Sequence, residues 1–239
     1  MQLVIKIGLD RPLTLPLAYH HIQQSIIYRL MGDSEGTPLH DGGYGDSRKT
    51  FKLFTFGPLT GKYHVESGRI TFLNEVSFEF RCVDEEYGGA IAGNIIKRGI
   101  DFGDDHFSSV EVRRDDKRIE KNDIKIKMIS PITVYETSED GKTKFFNPSE
   151  KNFVDAVIEN AYHKYAAFTQ GEVRENIGFE AVHVDRRDKY LTRYKGFIIE
   201  GYKGIYRLSG NTDMLKFLYN AGLGGKNSQG FGMFEEYFD

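Results

Sequence analysis

From Gln2 to Gly8 hydrophobic and polar residues alternate, with Leu3, Ile5 and Ile7 set between Gln2, Lys6 and Gly8, which is the two-residue period of a half-buried strand. From about Leu17 to Met31 the period lengthens. Ile22, Ile26 and Leu30 recur at four-residue spacing, and His20, Gln24 and Tyr28 form a second, mostly polar stripe beside them, so the pattern predicts a helix with Tyr28 off its core face. Residues 32–49, rich in Gly, Ser and Asp, predict a loop, and Phe51–Phe56 and Arg69–Val83 predict strands. Glu85–Arg98 carries Ile91, Ile95 and Ile96 at helical spacing with Gly99 as its stop, and Phe107–Arg113 alternates again.

The run RRDDKRIEKND (113–123) is almost entirely charged and places a domain junction near residues 117–123, giving units 1–120 and 121–239. The same plan then repeats. Ile124–Tyr135 predicts a strand, and Asn147, Pro148 and Glu150 supply an N-cap, a first-turn proline and a capping-box acid for a helix from Pro148 to about Phe168. Strands over Gly178–Val184 and Tyr194–Leu208, a helix over Thr212–Asn220 and a strand over Phe231–Phe238 complete it. Strand, helix, two strands, helix, strand in each half predicts an α+β chain of two tandem ferredoxin-like (βαββαβ, RRM-like) domains.

Composition narrows the function classes. One cysteine, Cys82, excludes an intramolecular disulfide, no Cys/His cluster has zinc-ligand spacing, and no cofactor or metal motif emerges. No apolar run approaches membrane-spanning length and the N-terminus lacks a signal peptide's long apolar region, so a cytoplasmic location is expected. The net charge of −3 argues mildly against nucleic-acid binding, yet Arg186, Arg187, Lys189, Arg193, Lys195, Lys203 and Arg207 cluster with Tyr190, Tyr194, Tyr202 and Tyr206. That segment reads either as a solvated strand face or as an RNA surface.

The strongest local signal is GLGGKNSQGFG (222–232), whose Gly222, Gly224, Gly225, Gly230 and Gly232 permit positive φ and close backbone approach, with Lys226, Asn227 and Ser228 between them. It is neither a P-loop, since Asn227 follows the lysine, nor a dinucleotide fingerprint, since no βαβ unit follows. An anion-binding loop and a plain turn both fit it. Asp101-Phe102-Gly103 matches a kinase motif only by letters, and Asp104, Asp105 and His106 read as solvated loop residues.

The segment GLGGKNSQGFGM resembles the C-terminal loop of the CRISPR-associated repeat-processing endoribonucleases of the RAMP superfamily. The likeness extends through GIYRLSGNTDMLKFLYNAG (204–222), HHIQQSIIYRL, Leu39-His40 and FKLFTFGPL (51–59). It implies binding of the repeat RNA of a precursor CRISPR transcript, in antiviral defence, and one metal-independent cut per repeat that leaves a cyclic phosphate and a 5′ hydroxyl. It matches Tyr28 in IIYRL, His40 in PLHDG and Lys52 in FKLFTF to a catalytic tyrosine, histidine and lysine, with His20 and His21 in reserve. It implies RNA contacts at Gly222, Gly224, Gly225, Lys226, Asn227, Ser228 and Gly230, together with Arg186, Arg187 and Arg193. The same superfamily holds non-catalytic RNA-binding subunits, which is the alternative reading. Homodimerisation and attachment to an interference complex stay open.

Overall fold

The computed structural model describes residues 1–32, 43–45, 50–171, 176–194 and 196–238. The N-terminal alternation forms β1 (Gln2–Gly8), which lies inside an antiparallel sheet with β2 (Phe54–Phe56), β3 (Glu75–Cys82) and β4 (Val110–Arg114) in the order β4-β1-β3-β2. Ile5 lies opposite Val112 on one side and Phe78 on the other. Its buried face packs on α1 (His20–Leu30) and α2 (Glu85–Arg98) through Ile26, Ile27, Leu30, Ile91 and Ile95. The second half repeats this order. β5 (Asp123–Met128), β6 (Gly178–His183), β7 (Ile205–Ser209) and β8 (Phe234–Glu236) lie as β8-β5-β7-β6, with α3 (Lys151–Thr169) and α4 (Thr212–Ala221) in their core.

Local chemistry sets the helix ends. Asp84 accepts from the Glu86 N–H at 2.9 Å to open α2, acidic residues occupy its first turn and basic ones its last, and Gly99 closes it at φ +71°. Asn211 caps α4 through the Met214 N–H at 2.7 Å. The start of α3 differs from the pattern. It begins at Lys151, and Asn147 instead accepts from the Ser149 N–H at 3.0 Å, closing a turn that leaves Pro148 and Ser149 outside the helix.

Several predicted strands are interrupted. Gly204, at φ +110°, parts β7 from a hairpin of Lys189–Tyr194 with Phe197–Tyr202, and Leu53, at φ +46°, separates Thr50–Phe51 from β2. Residues Arg69–Phe72 pair with Leu13–Pro16 and Tyr63–Glu66 in a small sheet of their own.

The two halves are joined by buried polar contacts. Arg81 on β3, 1% exposed, donates to the carbonyl oxygen of Phe234 on β8 and places its guanidinium 3.8 Å from the ring centre of Tyr219 on α4. Leu53 from the first half joins the second core. Among the described residues no helix is long and apolar enough to cross a membrane.

Candidate functional site

The glycine-rich loop leaves α4 and returns to β8 alongside the first half. Its glycines answer steric demands. Gly224 (φ +63°) brings the position of a Cβ within 2.6 Å of the Thr133 carbonyl oxygen, and at Gly232 (φ +77°) that position is 2.0 Å from the carbonyl oxygen of Leu223. The N–H groups of Gly222, Gly225 and Gly230 donate to the carbonyls of Leu218, Thr133 and Asn227, so these three are already committed within the protein. What the loop offers instead is the Lys226 side chain, held at φ +57° with its ammonium 4.7 Å from the Tyr135 ring centre.

Lys164 anchors the loop from below. It is 2% exposed, and its Nζ donates to the Gly222 carbonyl oxygen at 2.6 Å and to Asn227 Oδ1 at 2.7 Å. The amide of Asn227 in turn donates to the carbonyls of Leu223 and Phe231. A lysine thereby spans helix and loop. Sequence reading passed over Lys164, although it continues the buried stripe of α3 after Phe153, Val157 and Ala161.

These elements enclose a cavity of about 230 Å³, whose walls include Lys52, Lys164, Lys226, Ser228, Tyr135 and Asn160. Three ammonium-bearing side chains around one small space, with no carboxylate among the lining residues described, suit an anionic group such as a phosphodiester. Burial lowers the Lys226 pKa from its ordinary value. Phe54 also lines this cavity, and the ring of Tyr28 packs edge-on against it with centroids 5.7 Å apart. Tyr28 is half-buried against the first core, which corrects the expectation that it lies off the core face. His40 lies outside the described residues.

His20 meets the far end of the same loop. Its ring stacks on Tyr19 (5.1 Å, 4°) and Phe231 (6.4 Å, 28°), and Gly230 leaves room for it, since a Cβ there would be 2.9 Å from His20 Cδ2. Its Nδ1 is buried and has no hydrogen-bond partner among the described residues. Burial above all, then Lys203 and His21, pushes its pKa down to about 4. His21 is exposed, with Nδ1 2.8 Å from the Ala18 carbonyl oxygen.

The basic segment is largely neutralised by carboxylates of the protein, most of them outside the segment. Arg187 pairs with Asp185 at 2.7 Å, Lys189 with Glu200 at 2.9 Å, and Arg207 with Asp123 at 2.5 Å, while Tyr202 and Tyr206 are buried in the second core. The guanidinium of Arg187 holds the Asp185 carboxyl down at about 2. Arg186 and Arg193 are exposed and have no ion pair among the described residues. The hairpin reaches α1 through Tyr194, whose hydroxyl donates to Gln24 Oε1, and through Tyr190, whose ring meets His20 edge-on at 6.4 Å. Among the described residues no group of three or more His, Cys, Asp or Glu side chains is placed to hold a metal ion.

Residues 76–236, more than half of the chain, match the family model described as CRISPR associated protein Cas6, C-terminal. The chain belongs to the Cas6 family. The Cas6 endoribonuclease of Pyrococcus furiosus is 27% identical over 234 residues, spanning 94% of this chain and 84% of that protein. The endoribonuclease Cas6 1 of Methanocaldococcus jannaschii is 32% identical over 111 residues, 45% of this chain and only 43% of that protein's own length. Two solved structures share the fold along the whole chain. One titled "CRISPR associated protein Cas6" superposes with a TM-score of 0.78 at 22% identity, covering 100% of this chain and 99% of that one. Another, titled "An RAMP protein binding different RNA substrates", does so with 0.80 at 21% identity, covering 100% of each.

Proposed function

We propose that the chain is an endoribonuclease that cuts CRISPR precursor RNA within its repeats without a metal ion. The observation that carries the reading is the cavity beside the glycine-rich loop, whose lining includes Lys52, Lys164 and Lys226. Membership in the Cas6 family supplies the substrate class, since its Pyrococcus and Methanocaldococcus relatives are named CRISPR-associated endoribonucleases. The like order of strands in each half supports two ferredoxin-like units dividing near residue 120.

The chemistry follows from RNA itself. A ribose 2′ oxygen attacks its own 3′ phosphate, the bond to the 5′ oxygen of the next nucleotide breaks, and the products are a 2′,3′-cyclic phosphate and a 5′ hydroxyl. One proton leaves the 2′ hydroxyl for a base, and another reaches the departing 5′ oxygen from an acid. Negative charge grows on the phosphoryl oxygens as the fifth bond forms. Lys52 supplies positive charge there, with Lys226 beside it, so that fixed ammonium groups meet the demand a metal ion could otherwise meet. His40 and Tyr28 are the proton-transfer pair. Tyr28 stands next to the cavity, its ring edge-on to that of Phe54, which lines it. The loop face with Lys226 and Ser228, together with the exposed Arg186 and Arg193, receives the flanking strand.

Separating cleavage from binding tests this assignment. Lys52→Ala is expected to slow cleavage of a repeat RNA by about 100- to 1,000-fold while the affinity for an uncleavable 2′-deoxy version changes little. Equal losses of both would make Lys52 a binding residue of a non-catalytic RNA-binding protein.

A further inference from the structure

Lys52 lines the cavity just before a break in its own strand. In β2 the side chains of Phe54 and Phe56 lie in the first core. Thr55 between them takes the opposite face, and its hydroxyl donates to the Phe231 carbonyl oxygen of the glycine-rich loop at 2.9 Å. Continued as a regular strand, this alternation would put Lys52 on the side of Phe54 and Phe56, toward the first core. The alternation stops at Leu53. That residue takes φ +46°, in the left-handed region that is costly for any residue with a Cβ and is mostly taken by Gly and Asn.

Leu53 is held in this conformation by contacts with both halves. Its side chain, 4% exposed, belongs to the second core, whereas the very next residue, Phe54, belongs to the first. Its carbonyl oxygen accepts from the Val83 N–H at 3.0 Å. On the other side of Lys52, Phe51 also packs against the second core. Strained backbone persists only where its surroundings over-determine it, and a glycine would meet the same backbone demand at lower cost. The leucine is therefore explained by its side chain, which fastens a strand of the first half into the core of the second directly beside Lys52.

We propose that Leu53 is a positioning residue for the cleavage reaction. Its left-handed turn takes Lys52 off the face of the first core, and its anchor in the second core sets Lys52 against Lys226 and Ser228 in the cavity that both halves line. The proposal rests on the endoribonuclease reading and deepens it, since a cation stabilises a transition state only when it is fixed where the charge develops.

The test uses the full chain and the repeat RNA of its own CRISPR array. Three quantities are measured: single-turnover cleavage, affinity for the same RNA carrying 2′-deoxyribose at the cut, and the rate at which an amine-selective acylating reagent labels Lys52, read by mass spectrometry. The proteins are the wild type, Leu53→Met, Leu53→Val, Leu53→Ala and Leu208→Ala, the last a truncation elsewhere in the second core. Leu53→Met, unbranched and of similar size, should keep cleavage within about threefold of the wild type. Leu53→Val keeps an apolar side chain but resists positive φ through its branched Cβ, and Leu53→Ala loses the anchor. Each should lower cleavage by about 10- to 100-fold with little change in affinity, and each should alter Lys52 labelling. Leu208→Ala should alter neither cleavage nor labelling. Added to Lys52→Ala, Leu53→Val should cost less than about threefold more, because both changes act through one group.

The positioning role is overturned if folded Leu53→Val or Leu53→Ala cuts as fast as the wild type, or if their losses multiply in full with that of Lys52→Ala. If the wild type cuts no repeat RNA, the endoribonuclease reading falls separately and the labelling decides alone. A change at Lys52 confined to Leu53→Val and Leu53→Ala would then support the positioning role, and unchanged labelling would overturn it.

Discussion

The ammonium of Lys164 lies 2.7 Å from Asn227 Oδ1 and 2.6 Å from the carbonyl oxygen of Gly222, so a helix of the second half holds the glycine-rich loop from beneath. Removing that lysine strands two acceptors in a nearly dry setting. Lys164→Met should destabilise the fold by about 2–4 kcal/mol, since each buried group left unsatisfied costs roughly 1–3 kcal/mol. Asn227→Ala should cost less, and the double variant less than the sum, because both changes break one network. Chemical denaturation of the four proteins checks this. Strict additivity would show that the two residues act independently.

Glycines in this chain divide into those the backbone requires and those it does not. Gly224→Ala places a Cβ 2.6 Å from the Thr133 carbonyl oxygen at φ +63°, and should cost about 1–3 kcal/mol and displace Lys226. Gly89→Ala, exposed in α2 with nothing within 4 Å, should instead stabilise by about 0.5–1 kcal/mol. Melting curves of the two variants should therefore shift in opposite directions.

Protonation of His20 should couple folding to pH. Burial lowers its folded pKa from 6.5 to about 4, so between those values the unfolded chain binds a proton that the folded chain does not. Stability from this residue is thus complete above about pH 6.5 and falls as pH drops toward 4, by about 1.4 kcal/mol per unit at most. His20→Phe, which keeps the stacked ring, should flatten that slope when unfolding free energies are compared from pH 7 to 4.5. Parallel curves for the two proteins would show that His20 does not titrate differently on folding.

Much of the architecture was legible because its signals are local. The alternation of β1 lies within seven residues, and the boundaries of α2 follow from Asp84, the Glu85–Glu86 pair and Gly99. Features set by distant partners were not. Gln23 looks like a surface residue of α1, yet it is buried because its amide donates to the Gly57 carbonyl oxygen at 2.9 Å, and Ile27 is more deeply buried than the expected Ile22. The basic segment looked like a single charged face because its neutralising acids include Asp123, 84 residues from Arg207 in sequence. Similarly, Lys164 reads as a solvated helix lysine until the loop at Gly222 and Asn227 is folded over it. Lys52, matched through a family motif, and the glycine-rich loop, singled out by its composition, line one cavity.

Lys52 separates electrostatic stabilisation from simple binding. Lys52→Ala should lower single-turnover cleavage by about 100- to 1,000-fold, and Lys52→Arg should restore part of it, because the charge matters more than the amine. A loss of less than about threefold in Lys52→Ala would remove this residue from the chemistry.

The most direct test of the central claim is cleavage of the chain's own repeat RNA in excess EDTA, beside the same RNA carrying a single 2′-deoxyribose at the cut. The account predicts one cut per repeat, undiminished by EDTA and absent from the deoxy substrate, with a 2′,3′-cyclic phosphate on the upstream product. Cleavage that EDTA abolishes, or that proceeds on the deoxy substrate, would contradict it.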